Sequence, residues 1–337
     1  MQKLKNIEFL RVFLITAIVF LHMFINRVWN LCHIYPDIPI YQTLKSAIAH
    51  SNNGVEGFFI VAGFFLVYTF KSISLKEFIL KKYIRLSPVI LFSMVLCVIG
   101  WLLGVMHFKI IPNLLTVFLL NQFGINFAVG QNPILWYTSV LFAGLLLYFC
   151  ILKYLPSKIK YILISILIIS SYTILEILQH GSFANPLKNY YHVFNVGFIR
   201  AVGGIGLGVL CGNIYQSFIL KNKIKENIFS KIFISLGFTL LLLLFVMKKG
   251  VITKILDKDI WIFLGKFQYS IYVIHYVIIR VLGFTLWKNN PNFVLSHPVL
   301  PIIIMILTIL TIGVFTYYMV ELPCAKFLKD KLIGKKI

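Results

Sequence analysis

Apolar runs of about twenty residues, enough for a helix to cross a hydrocarbon core roughly 30 Å thick, recur through most of this chain. They fall near 7–27, 54–70, 87–107, 134–152, 159–178, 193–215, 229–247, 268–287 and 298–320. A tenth stretch, 110–128, is weaker. Asn113, Asn121, Gln122 and Asn126 interrupt it, so it is expected to lie along an interface or to re-enter. There is no internal repeat and no Pro/Gly/Ser linker that would mark a second domain. The pattern predicts an all-α polytopic membrane protein with about ten transmembrane helices, nine clear and one weak. It also predicts a single integral membrane domain over residues 1–337, with no appended extracytoplasmic domain. Lys3 and Lys5 precede a first run that is long enough to span and is not followed by a small-residue cleavage site, so the first helix is expected to be retained.

Composition fixes the class. Hydrophobic residues fill 60% of the 337 positions and mean hydropathy is +0.91, values that exclude a soluble globular domain. The net charge of +22 points at first to nucleic acid, but the lysines cluster between apolar runs and no soluble basic domain exists to present them. Positive loops on the cytoplasmic face account for the charge instead. Lys3 and Lys5, then Lys71, Lys76, Lys81, Lys82 and Arg85, put the amino terminus and the loop after the second run in the cytoplasm. The clusters at 221–231 and 326–336 both favour that side although three apparent runs separate them, so the later topology stays open. The five cysteines are odd in number and lack Cys-x-x-Cys spacing, which argues against a zinc site or a disulfide framework. Pro88, Pro133 and Pro298 fall at predicted helix starts, and Gly204, Gly208 and Gly212 have the spacing of a close helix-packing face.

Ionisable side chains inside apolar runs are costly and are functional candidates by default. Arg11 and His22, eleven positions apart, are separated by about three helical turns, so they share one face about 16 Å apart along the axis. Glu8 and Asn26 extend this polar stripe, which must face protein or water. A histidine that titrates near neutral pH is the usual proton handler. Arg11 lies too far along the helix to touch His22, and an Arg11–Glu8 pair at i, i+3 is the structural alternative to a binding role. Glu56, Glu176 and Glu321 are the other acidic residues in or beside apolar runs. Glu176 is close enough to a run's end to reach the interface. His275 lies mid-run with Tyr269 and Tyr272 on preceding turns, an arrangement that suits either a polar site or an interhelical hydrogen bond.

Several short patterns, in order, resemble the acyltransferase-3 family of integral membrane O-acyltransferases. Arg11 with His22 resembles the first-helix signature, and Asn53–Phe64 (NGVEGFFIVAGF) is similar to the second-helix motif. Lys82, Arg85 and Pro88 resemble the basic Arg-x-x-Arg segment ending in proline. Leu135 and Trp136 resemble the Leu-Trp helix start, and Arg200 heads a glycine-rich helix as in the family. Phe263–His275 (FLGKFQYSIYVIH) is similar to the Leu-Gly-x-x-Ser-Tyr-Ser-x-Tyr-Leu-x-His stretch, and Glu321 with Pro323 matches the Glu-x-Pro that closes the last helix. There are departures. Ala62 replaces a common serine, Leu141 stands where relatives often carry glutamate, and Lys82 replaces an arginine and loses its planar fork.

The resemblance implies transfer of an acetyl group from cytoplasmic acetyl-CoA, a co-substrate, to a hydroxyl of a cell-surface glycan or lipid-linked sugar, without a metal. Such transfer needs a base, donors for the developing oxyanion, and exclusion of water. His22 is the candidate base or acyl carrier. Glu56 is a candidate to orient it as the carboxylate does in a triad, and His275 to line the acceptor site. Arg11, Lys82 and Arg85 are candidates to hold the donor, the last two by attracting its phosphates. Membrane lipid is an expected partner, nucleic acid is not, and a homo-oligomer is left open. The expected home is a bacterial cytoplasmic membrane. The competing reading is a transporter or exporter of a glycan or lipid-linked sugar, in which the same polar stripe conducts protons; paired Pro/Gly-broken helices would favour it.

Overall fold

The computed structural model describes residues 4–24, 31–49, 51–107, 109–122, 130–179, 186–187, 189–190, 194–221 and 256–334. In chain order the helices are α1 (Lys5–Phe24), α2 (Leu31–Ile34), α3 (Pro39–Ile48), α4 (Gly54–Leu66), α5 (Leu75–Leu102), α6 (Ile110–Val117), α7 (Trp136–Tyr154), α8 (Ser157–Gln179) and α9 (Val196–Lys221). They continue with α10 (Ile260–Leu264), α11 (Gln268–Leu282), α12 (Pro291–Ser296), α13 (Leu300–Thr316) and α14 (Leu322–Leu332). Two short strands, β1 (Asn189–Tyr190) and β2 (Phe194–Asn195), pair antiparallel before α9. Asn195 then caps that helix, its Oδ1 accepting from the Phe198 N–H at 2.8 Å.

Seven helical stretches are long and apolar enough to cross a membrane: Lys5–Phe24, Leu75–Leu102, Pro133–Tyr154, Ser157–Leu178, Val196–Gln216, Gln268–Lys288 and Leu300–Leu332. The expected count of about ten is therefore not reached among the described residues. The run at 229–247 lies outside them. The run at 54–70 supplies only the 13-residue helix α4, about 20 Å long. Residues 67–70 leave the helix in a turn, with the Thr69 and Phe70 N–H groups both donating to the Leu66 carbonyl. The weak stretch 110–128 gives the eight-residue α6, which stops just before Leu119 turns into the left-handed region at φ 60°.

Two helix starts also differ from expectation. α5 begins at Leu75, with Ser74 Oγ accepting from the Glu77 N–H at 3.2 Å, so Lys76, Lys81, Lys82 and Arg85 are helical and Pro88 lies inside the helix, not at its start. At the other end, Glu321 and Pro323 do not close a helix. A π-helical turn, Tyr317–Glu321, leads directly into α14, which carries Pro323 in its first turn, so the chain stays helical through both residues.

The described residues form two compact units. One comprises residues 1–12, 55–79 and 140–265, and the other 13–54, 80–139 and 266–337. In the first, α8 packs on α9, and α9 turns a glycine face toward α4. A Cβ on Gly208 would collide with the Ile60 carbonyl, one on Gly212 would lie 2.9 Å from the Phe64 carbonyl oxygen, and one on Gly204 2.7 Å from the Phe59 Cβ. Backbone meets backbone along this seam, the geometry that small residues permit in lipid. In the second unit α11 packs on α13, where Gly313 makes room for Ile271.

Gly208→Ala is therefore expected to lower the thermal midpoint of the detergent-solubilised protein, by the equivalent of about 1–3 kcal/mol. Ile169→Ala, at a position 67% exposed on α8, should leave it nearly unchanged. Equal midpoints for the two variants would remove the close α4–α9 contact from the account.

Candidate active site

In the second unit, α1 and α11 bring two histidines together. His22 Nδ1 lies 2.9 Å from His275 Nε2, with ring centroids 5.0 Å apart. His275 is fully buried, and its Nδ1 faces two backbone carbonyls of its own helix, Tyr272 at 2.7 Å and Ile271 at 3.2 Å.

With both rings neutral, one arrangement of protons satisfies these contacts. A carbonyl oxygen only accepts, so His275 Nδ1 carries the hydrogen and, in the neutral ring, its Nε2 is a lone pair. That lone pair needs a donor, and His22 Nδ1–H supplies it. In that arrangement His22 Nε2 is the unprotonated nitrogen, the state a general base requires.

Other groups tie α11 in place around this pair. Asn132, almost fully buried ahead of the Pro133 turn, donates through Nδ2 to Ser93 Oγ on α5 at 2.8 Å and to the Val273 carbonyl at 2.7 Å. The Tyr272 hydroxyl donates to the Ile134 carbonyl, and that of Tyr269 to the Leu86 carbonyl at 2.8 Å. Ser270 Oγ donates to Glu321 Oε2 at 2.6 Å, which gives that buried carboxylate a partner. The Tyr276 ring stands edge-on to His22 with centroids 5.9 Å apart. On the first turns of α5, Arg85 is exposed and Lys82 half-buried.

The first unit holds the other two sequence candidates, each with its own partner. Arg11 Nη1 donates to both carboxylate oxygens of Glu8, at 3.0 and 3.1 Å, so the i, i+3 pair named as the structural alternative is formed. Glu56 accepts from the Tyr172 hydroxyl on α8 at 2.7 Å and pairs with Arg200 Nε on α9 at 3.4 Å. Arg200 is fully buried. Both oxygens of Glu56 are thus engaged in a cluster that links three helices, while the tautomer of His22 is set by His275.

Sequence reasoning placed Arg200 only as the head of a glycine-rich helix. Its charge inside an apolar run was a signal that it needed a buried carboxylate. Tyr172 and Asn132 gave no such signal, because tyrosine and asparagine are ordinary near span ends and turns.

Long apolar helices with paired charges and a histidine pair inside them define a multi-pass membrane protein with polar groups held among its helices. The chain belongs to the acyltransferase-3 family, whose acyltransferase-domain model matches residues 4–253. The match includes Arg11, His22, Glu56, Lys82, Arg85 and Arg200, and it stops before His275 and Glu321. Comparisons with curated proteins and with solved structures return no match. Membership makes the protein a membrane acyltransferase.

The Glu56–Arg200 pair yields a stability test. Arg200→Ala leaves a buried carboxylate without its counter-charge, and such a loss costs about 3–5 kcal/mol. The variant should show a strongly reduced thermal midpoint, partly restored when Glu56→Gln is added in the same chain. No restoration in the double variant would mean that Arg200 acts through contacts other than Glu56.

Proposed function

We propose that this protein is an O-acetyltransferase that moves an acetyl group from cytoplasmic acetyl-CoA to a hydroxyl of a cell-surface glycan or lipid-linked sugar in a bacterial cytoplasmic membrane. The observation that carries the reading is the hydrogen bond between His22 and His275. Two residues 253 positions apart form a dyad whose tautomers leave one ring nitrogen free to accept a proton.

In this reading His22 Nε2 takes the proton of the acceptor hydroxyl as its oxygen attacks the thioester carbonyl carbon. The new C–O bond forms as the C–S bond breaks, and the proton passes from His22 to the departing CoA thiolate, giving free CoA. His275, and not Glu56, orients the base. The carbonyls of Ile271 and Tyr272 turn the negative ends of their dipoles toward the dyad and offset the positive charge it bears while it holds the proton. Lys82 and Arg85, one turn apart at the start of α5, are the dock for the donor's phosphates, held by charge.

Vesicles containing only this protein, acetyl-CoA and an acceptor glycan should yield acetylated acceptor and free CoA in equal amounts. His22→Ala should lower kcat by roughly 10²–10⁴-fold, the range for loss of a general base, and His275→Ala should lower kcat with little change in the KM for acetyl-CoA. Acceptor that crosses the bilayer unmodified, with no CoA released, would replace acyl transfer by transport.

Neutralising Lys82 and Arg85 together should raise the KM for acetyl-CoA and weaken its dependence on salt, because screening and charge removal act on the same interaction. An unchanged KM would leave the basic turns of α5 a topology signal only.

A further inference from the structure

Arginines inside apolar spans of this protein are paired with carboxylates at Arg11 and Arg200. Arg280 is not. It lies on α11 eight residues before the end of the span Gln268–Lys288, half-buried, and no described carboxylate pairs with it. Tyr276 lies one turn before it on the same helix, and the buried Cys97 of α5 packs in one cluster with Val277 and Val281, the α11 residues on either side of it. Its Nε is buried with no hydrogen-bond partner among the described residues. A cation at such depth, with an unused donor, calls for an anion.

Its neighbours say which anion. Tyr276 connects Arg280 to the dyad along the helix, since the residue one turn before the guanidinium stands edge-on to the His22 ring. Arg280 is five residues beyond His275, about 7.5 Å of rise and 140° of rotation, so it does not share the face of α11 that carries the histidine. An anion held there belongs to a different part of the substrate from the reacting hydroxyl. It is also separate from the donor's phosphates. Cys97 and Arg85 are twelve residues apart on α5, about 18 Å, which puts Arg280 and the basic turns at different levels of this unit.

We propose that Arg280, with Tyr276, is the recognition point beside His22 for an anionic group of the acceptor, a carboxylate or a phosphate; the proposal rests on the acyl-transfer reading for the word acceptor. Arginine suits both anions, because its planar fork matches two oxygens at once. The protein therefore selects acidic or phosphate-bearing glycans over neutral ones.

Binding without turnover tests this. The purified protein, without acetyl-CoA, is titrated with octyl glucoside, octyl glucuronide and octyl glucoside 6-phosphate below their micellar concentrations. At least one anionic probe should bind ten-fold or more tighter than the neutral one, and which of the two binds tighter identifies the group. Arg280→Gln should bring the anionic probes down to the neutral level and leave the neutral one within two-fold, while Arg280→Lys keeps part of the preference. A wild type that binds all three equally overturns the proposal, and it decides the matter even where Arg280→Gln does not fold. So does a folded Arg280→Gln that retains the preference. Adding acetyl-CoA separates the two readings. A tightly bound anionic acceptor that is never acetylated overturns acyl transfer and leaves this site standing. Acetylation at equal kcat/KM for neutral and anionic probes overturns this site and leaves acyl transfer standing.

Discussion

An ion inside an apolar helix must be met by another group, and this chain has only ten acidic residues against 32 basic ones. That scarcity organises the interior. Glu8 is taken by Arg11 and Glu56 by Arg200, each pair closing a charge that would otherwise cost several kcal/mol in a low-dielectric setting. Glu321 accepts from a serine hydroxyl. His22 and His275 have no carboxylate partner among the described residues; they meet one another and two backbone carbonyls.

The dyad depends on an economy of the helix itself. A backbone carbonyl has two lone pairs and a regular helix uses one. The second lone pairs of Ile271 and Tyr272 are within reach of a side chain one turn later, and His275 occupies that place. The tautomer is consequently written into α11, and no third side chain is required to set it. Asn132 takes the neighbouring carbonyl, that of Val273, and so anchors the same turn to α5.

Much of the architecture was legible in the sequence because spanning helices announce themselves by length and hydropathy. Boundaries were less so. Residues 67–70 are as apolar as the helix before them, and hydropathy does not distinguish a buried turn from a buried helix. The start of α5 did carry a local sign, the Ser74-x-x-Glu77 capping pattern, but the proline at position 88 drew the boundary to itself. The Arg11–Glu8 pair could be read because both residues sit one turn apart on one helix. The partners of His22 and Glu56 could not. They come from 253, 116 and 144 positions away, and no periodicity links such positions.

The order of synthesis gives the Glu56–Arg200 pair a further meaning. Helix α4 leaves the ribosome 144 residues before the arginine that neutralises its carboxylate. At about 5–20 residues per second that is roughly 7–30 s. During that interval the helix has no counter-charge for Glu56 and only 13 residues of its own, too few to hold a bilayer crossing. Until then any charge on that carboxylate has to be met by water, and the close packing of α4 on the glycine face of α9 also has to wait for that later helix. The settling of one helix is thereby tied to the birth of another.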